Sequence, residues 1–175
     1  MKKKLFFTFL LVSSICLQAQ KVLIDKVNSD GRRFIATEPR GFTLGCFAGN
    51  KDTTWVLTYN LGEKREIDKG KKMLIKLSDG EIITLENEKE IGPLDYETFF
   101  LSNRIIYVVQ PCYYLSKENI LSIIEKGIVK IRIETNIDVK DRTEKDCKRF
   151  NKLLAKGYNN IVEALKIKKD LYSDF

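Results

Sequence analysis

Alternating apolar and polar positions dominate the first two thirds of the chain, and a three- to four-residue apolar period takes over towards the C-terminus. Residues 21–27, 33–37, 42–47 and 53–59 are runs rich in β-branched and aromatic side chains. The first three end in turn formers, Asn28-Ser29-Asp30-Gly31, then Pro39 with Gly41, then Gly49-Asn50. Runs bounded in this way predict strands. Another run over 104–109 is stopped by Pro111. Proline lacks the N–H that a sheet ladder needs, so a bulge or a sheet edge is predicted there.

The sharpest local signal is Asp79-Gly80, set between the apolar runs 73–78 and 81–85. An Asp-Gly pair between such runs predicts a hairpin with a two-residue type I′ loop, because that turn needs positive φ at both central residues. With this loop Leu77 faces Ile82 and Ile75 faces Thr84, and the four share one sheet face. Leu74, Ile83 and Leu85 then share the other. Both faces are partly apolar, which predicts a hairpin held between two layers.

Ser116 is placed to cap a helix over 117–126 whose Ile120, Ile123 and Ile124 share a face, with Gly127 just past its end. Val129, Ile131 and Ile133 then alternate with Lys130, Arg132 and Glu134, the pattern of a half-exposed strand. From about Asp141 to Lys168, the residues Cys147, Phe150, Leu154, Tyr158, Ile161 and Leu165 form one apolar helical stripe. Gly157 interrupts it, at a cost of about 1 kcal/mol relative to alanine. The stripe keeps its phase across the glycine, so one long helix is expected rather than two. Strands first and helices last give an α+β fold: a mainly antiparallel, curved sheet with a short helix and a long C-terminal helix packed on it. The face carrying Val129, Ile131 and Ile133 is the expected seat of that helix.

The N-terminus adds an address. Lys2, Lys3 and Lys4 precede the apolar run 5–12, and Leu17-Gln18-Ala19 follows. A positive segment, an apolar segment and a small-residue cleavage site read as a secretory signal peptide over residues 1–19. The apolar segment is too short to span a bilayer, and no later one is longer. Ile15 is bulky where a lipid-attachment site at Cys16 wants a small residue, so cleavage after Ala19 is expected. Residues 20–175 are then a single exported globular domain in the periplasm, on the cell surface or outside the cell. Three of the formal +7 charges leave with the signal. The remaining charges are interspersed, and together with export this argues against a nucleic-acid partner.

The chain has no histidine. Ser-His-Asp and Cys-His nucleophile activation both need an imidazole, and a catalytic zinc site normally takes histidine ligands. No metal site and no cofactor are expected. Cys46, Cys112 and Cys147 lie tens of residues apart, which fits no metal knuckle. They read as small buried hydrophobes, although an oxidising compartment would permit one bridge.

The order Lys76-Leu77-Ser78-Asp79-Gly80, Tyr113-Tyr114-Leu115-Ser116-Lys117-Glu118 and Gly127-Ile128-Val129-Lys130-Ile131-Arg132-Ile133-Glu134, followed by a Lys-rich helix, resembles small exported proteins of gut-dwelling Gram-negative anaerobes. The resemblance covers about Lys71 to Leu165. Its motifs are structural, so it implies no activity and no functional residue. Asp52-Thr53-Thr54 resembles the O-glycosylation sequon of exported proteins in such bacteria, which makes Thr53 a candidate acceptor; the same residues also read as a turn into a strand.

Two functions remain. One is a non-catalytic envelope or extracellular module that binds a protein or glycan. Trp55, Tyr59, Tyr113 and Tyr114 are its candidate contacts, because an exposed aromatic pair can stack on a sugar or anchor a partner. Core packing is the alternative role for the same rings. Trp55 and Tyr59 are an even number apart and share a face, whereas Tyr113 and Tyr114 must split. The other function is a small carboxylate-dependent enzyme acting on glycans, drawing on Glu86, Glu88, Glu90, Asp95 and Glu97. Such chemistry needs two carboxylates about 5–10 Å apart, whereas this cluster, with Lys89 inside it, reads as a solvated loop.

Overall fold

The computed structural model describes residues 21–29, 31–49, 52–61, 65–92, 97–101 and 104–167. The predicted signal segment and Asp95 lie outside the described residues. The strands are β1 (Val22–Val27), β2 (Arg33–Thr37), β3 (Phe42–Ala48), β4 (Thr53–Tyr59), β5 (Lys72–Leu77), β6 (Ile82–Glu86), β7 (Glu97–Leu101), β8 (Arg104–Val108) and β9 (Cys112–Leu115). Helix α1 (Lys117–Lys126), strands β10 (Ile128–Glu134) and β11 (Val139–Asp141), and helix α2 (Glu144–Lys166) follow in the described residues.

All the paired strands run antiparallel. They form a five-stranded sheet in the order β1-β2-β3-β4-β9, a four-stranded sheet in the order β11-β10-β5-β6, and the hairpin β7-β8. The fold is therefore α+β as expected, with its strands divided between two main sheets. Helix α2 packs on β10 of one sheet and on β1, β2 and β3 of the other, and α1 packs beside it. Its buried residues are Cys147, Phe150, Leu154, Gly157, Tyr158 and Ile161. The helix runs unbroken through Gly157, which is itself buried. Thr143 caps its first turn by accepting from the Asp146 N–H at 3.2 Å, and Ser116 caps α1 by accepting from Asn119 at 3.0 Å.

Two details differ from the sequence expectation. First, the hairpin loop holds three residues, Ser78-Asp79-Gly80. The Gly80 N–H donates to the Leu77 carbonyl at 3.1 Å, and Leu77 N–H donates to Glu81 at 2.8 Å. Gly80 has φ +93°, which fits a type I turn closed by a glycine bulge. The register moves by one, so Ile75 faces Ile83 and Lys76 faces Ile82. A one-residue slip exchanges the faces of one strand. Met73, Ile75, Leu77, Ile83 and Leu85 all become core, and Ile82 and Thr84 face solvent. The hairpin is thus covered on one face only. Second, the pairing of β10 with β5 skips a residue between Ile128 and Lys130. The bulge turns Val129 outward, 47% exposed, and leaves Ile128, Ile131 and Ile133 as the buried set.

The sheets meet where Asn87 bridges Tyr113 across the ends of β6 and β9. Asn87 is 1% exposed. Its Oδ1 accepts from Cys112 N–H at 2.9 Å, and its Nδ2 donates to the carbonyls of Asp68, at 3.1 Å, and Lys89. Its own N–H donates to Lys71 and its carbonyl accepts from Gly70, both at 2.8 Å. One side chain thereby joins the approach to β5, the end of β6 and the start of β9. At the far edge of the larger sheet, Arg33 holds both Asp25 oxygens at 2.7 Å and donates to the Ile167 carbonyl at 2.6 Å. That contact ties β1 and β2 to the C-terminal end of α2. The guanidinium also takes up a carbonyl that a helix end leaves without an intrahelical partner.

Replacing Asn87 by alanine strands these buried backbone groups. The expected cost is about 1–3 kcal/mol, read as a lower midpoint in urea unfolding. An unchanged midpoint would mean that the two sheets are joined by other contacts.

Candidate functional site

The strand parity decides what the predicted aromatic residues do. Trp55 and Tyr59 share a face, and it is the inner one. The Trp55 ring lies 5.1 Å from Tyr158, and the Tyr59 ring 5.7 Å from Phe150. Tyr113 and Tyr114 split as expected. Tyr113 is fully buried, and its hydroxyl has no hydrogen-bond partner among the described residues. Burial pushes that phenol far above its usual range. Trp55, Tyr59 and Tyr113 are therefore core residues, as burial leaves them no surface to offer. Tyr114 is 53% exposed and remains a contact residue. Thr53 is exposed at the first position of β4, opposite Ala48.

Tyr114 stands on the outer face of the five-stranded sheet, in a setting that the aromatic count alone did not reveal. Three cross-strand rows make up this face. Phe34 pairs with Phe47, which pairs with Thr54. Gly45 pairs with Val56, which pairs with Tyr114. Thr43 pairs with Thr58, which pairs with Cys112. The Phe34 and Phe47 rings stack with centroids 4.4 Å apart, and the Arg32 guanidinium lies 5.6 Å above Phe47. A Cβ at Gly45 would come within 3.1 Å of the Phe34 ring. Glycine at this position lets that ring lie close over the strand. The result is an open, mostly apolar groove of about 280 Å³ floored by Gly45, Val56 and Thr58 and flanked by Phe47 and Tyr114.

The sequence carried one sign of this face. In β2 and β3 both parities are apolar, with Phe34 and Phe47 opposite in parity to Ile35 and Cys46. A strand with one face in water has no structural need for a second apolar face.

The carboxylates make no comparable arrangement. Glu86, Glu88 and Glu90 are exposed, and Glu88 pairs with Lys69 at 3.7 Å. The side chain of Glu97 lies outside the described part of the structure. The described carboxyl groups whose pKa clearly departs from the usual value all depart downward. Asp79 is held down by Lys126, Glu118 by a backbone N–H, Asp138 by Thr135, Asp141 by Arg132 and Glu144 by Lys148. A general acid working near neutrality needs the opposite shift. No three metal-ligating side chains converge among the described residues.

Cys46, Cys112 and Cys147 are free thiols. Burial raises the pKa of all three, and Cys46 is pushed up to about 11 against the opposing pull of Arg33.

No family model matches the chain, and comparison with curated proteins and with solved structures finds no match to either.

The thiols yield a direct check. The thiolate is the reactive form, and Cys46 stays protonated until the pH approaches about 11. Iodoacetamide at pH 8 should leave Cys46 and Cys147 of the folded protein unmodified and reach the half-buried Cys112 slowly. Denaturant should expose all three. Fast native labelling of Cys46 would contradict its burial.

Proposed function

We propose that the chain is an exported, non-catalytic module that binds a glycan of the cell envelope or its surroundings on the outer face of the five-stranded sheet. The observation that carries this reading is Tyr114, an exposed ring beside the Val56–Thr58 floor and across from the stacked Phe34 and Phe47. A sugar presents an apolar C–H face that stacks on such a ring. Its hydroxyls find partners in Thr43 and Thr58, which flank the apolar row. The groove is open and shallow, which suits a chain lying along a sheet better than a small molecule that must be enclosed. The signal-like N-terminus and the resemblance to exported proteins support the location. The downward shifts of the described carboxyl groups weigh against the carboxylate-enzyme alternative, which needs a carboxyl group held up.

Screening the purified mature chain on immobilised bacterial and plant polysaccharides should reveal retention without turnover. Tyr114→Ala should weaken the best binder about three- to tenfold, matching the worth of one stacking contact, and leave the melting temperature unchanged. Binding that ignores this substitution, or turnover abolished by a single Asp or Glu substitution, would overturn the proposal.

A further inference from the structure

The outer face of the four-stranded sheet is cationic and aliphatic rather than aromatic. Its register sets two cross-strand rows. Ile82 pairs with Lys76, which pairs with Lys130. Thr84 pairs with Leu74, then come Arg132 and Asp141. Leu74, Lys76, Ile82, Lys130 and Arg132 line a shallow depression of about 160 Å³. Lys76 stands directly opposite Lys130, and like charges so placed cost a sheet stability. Asp141 is shared by the other two cations. It lies 2.7 Å from the Lys130 ammonium and accepts from the Arg132 guanidinium at 2.8 and 3.0 Å. Lys76 is exposed and has no ion-pair partner among the described residues. Three cations thus meet one carboxylate. The acids of the nearby hairpin tip, Asp79 and Glu81, are engaged by Lys126, and Lys72, farther along β5, is offset by Glu86 opposite it. Two aliphatic side chains flank the cations. Ile82 is 57% exposed, and Val129, turned out beside Lys130 by the β10 bulge, is 47% exposed.

We propose that this face docks on an anionic lipid bilayer. Lys76, Lys130 and Arg132 meet the lipid phosphates, while Ile82 and Val129 enter the boundary between headgroups and acyl chains. Long cationic side chains suit such a boundary, because their aliphatic stems lie against apolar surface while the charge stays at headgroup level. Attraction of the cations and burial of the aliphatic pair are the two contributions that hold a peripheral protein on an anionic surface. The excess positive charge is complementary to that surface, and lipid phosphates relieve the opposition of Lys76 and Lys130. An acidic polypeptide is a poorer occupant. A peptide added as a strand needs free main-chain groups, and β5, which carries Lys76, is paired on both sides by β6 and β10. A glycan finds no aromatic ring in this depression on which to stack. The inference stands apart from the reading of the five-stranded sheet, because the two faces share no residue.

The test is co-sedimentation of the mature chain with vesicles of phosphatidylglycerol and phosphatidylcholine in equal parts, and with vesicles of phosphatidylcholine alone. The mixed vesicles should retain the chain, the neutral ones at least tenfold more weakly, and added salt should release it. Each charge near such a surface is worth about fivefold in affinity. Lys76→Glu, which exchanges an attractive charge for a repulsive one, should therefore weaken retention at least tenfold. The same change should leave the melting temperature unchanged or higher, because it replaces a like-charge pair by an opposite one. Ile82→Ser should weaken retention about fivefold through lost apolar burial, and Tyr114→Ala on the other sheet should leave it unchanged. Soluble polyglutamate at matched charge should not displace the chain; displacement would assign an acidic polypeptide and overturn the proposal. Equal retention on neutral vesicles, or parental retention of both Lys76→Glu and Ile82→Ser, would overturn it as well.

Discussion

The rest of the structure depends on one apolar stripe, the face of α2 that carries Cys147, Phe150, Leu154, Tyr158 and Ile161. A helix this amphipathic draws most of its stability from packing rather than from intrinsic propensity. It meets both main sheets, through β10 on one side and β1, β2 and β3 on the other. Each sheet on its own is half a core. Ile131 and Ile133 need a cover on one side, and Phe42 and Trp55 need one on the other. The helix fills the space between, and its two ends are fixed by different chemistry. Thr143 caps the first turn, and Arg33 takes the carbonyl of Ile167 at the last.

The polar contacts then decide how the sheets close around the helix. Asn87 carries the junction because the end of β6 and the start of β9 present backbone groups that neither ladder satisfies. An amide side chain can both donate and accept, so it completes both. Lys126 does a smaller job at the other end of the four-stranded sheet, where it pairs with Asp79 and Glu81 and anchors the hairpin tip beside α1. With the core committed to α2, the outer sheet faces are left to solvent. An aromatic pair and an exposed tyrosine on such a face add nothing to the core, and for that reason they are the natural place to seek function.

Local chemistry was legible in the sequence, and contacts across the fold were not. The cap at Ser116, the stripe of α2 and the opposed directions of Tyr113 and Tyr114 all follow from spacing along one element. The Asp79-Gly80 turn was legible as a turn, but its loop length was not, because Asp-Gly serves both the two-residue and the three-residue hairpin. Alternation around Val129 hid a bulge, since an inserted residue leaves composition unchanged. Which tyrosine points inward depends on where the sheet's cover lies, and that is a property of α2, well downstream in sequence. The Asn87 network had no local signature at all. Of the candidate aromatic contacts only Tyr114 stays on the surface. Its neighbours Phe34, Gly45 and Phe47 come from strands far away in sequence, so no motif could collect them.

If α2 joins the two sheets into one cooperative unit, they must unfold together. Trp55, the only tryptophan in the chain, sits against Tyr158 of α2 and reports on the five-stranded sheet. Hydrogen exchange at the amides of Ile131 and Ile133 reports on the four-stranded sheet. Measured across a urea series, the tryptophan fluorescence and the exchange of those amides should give the same midpoint and the same free energy of opening. Loss of protection at Ile131 and Ile133 while Trp55 remains native would show two independent sheets, and would contradict the central role assigned to the helix.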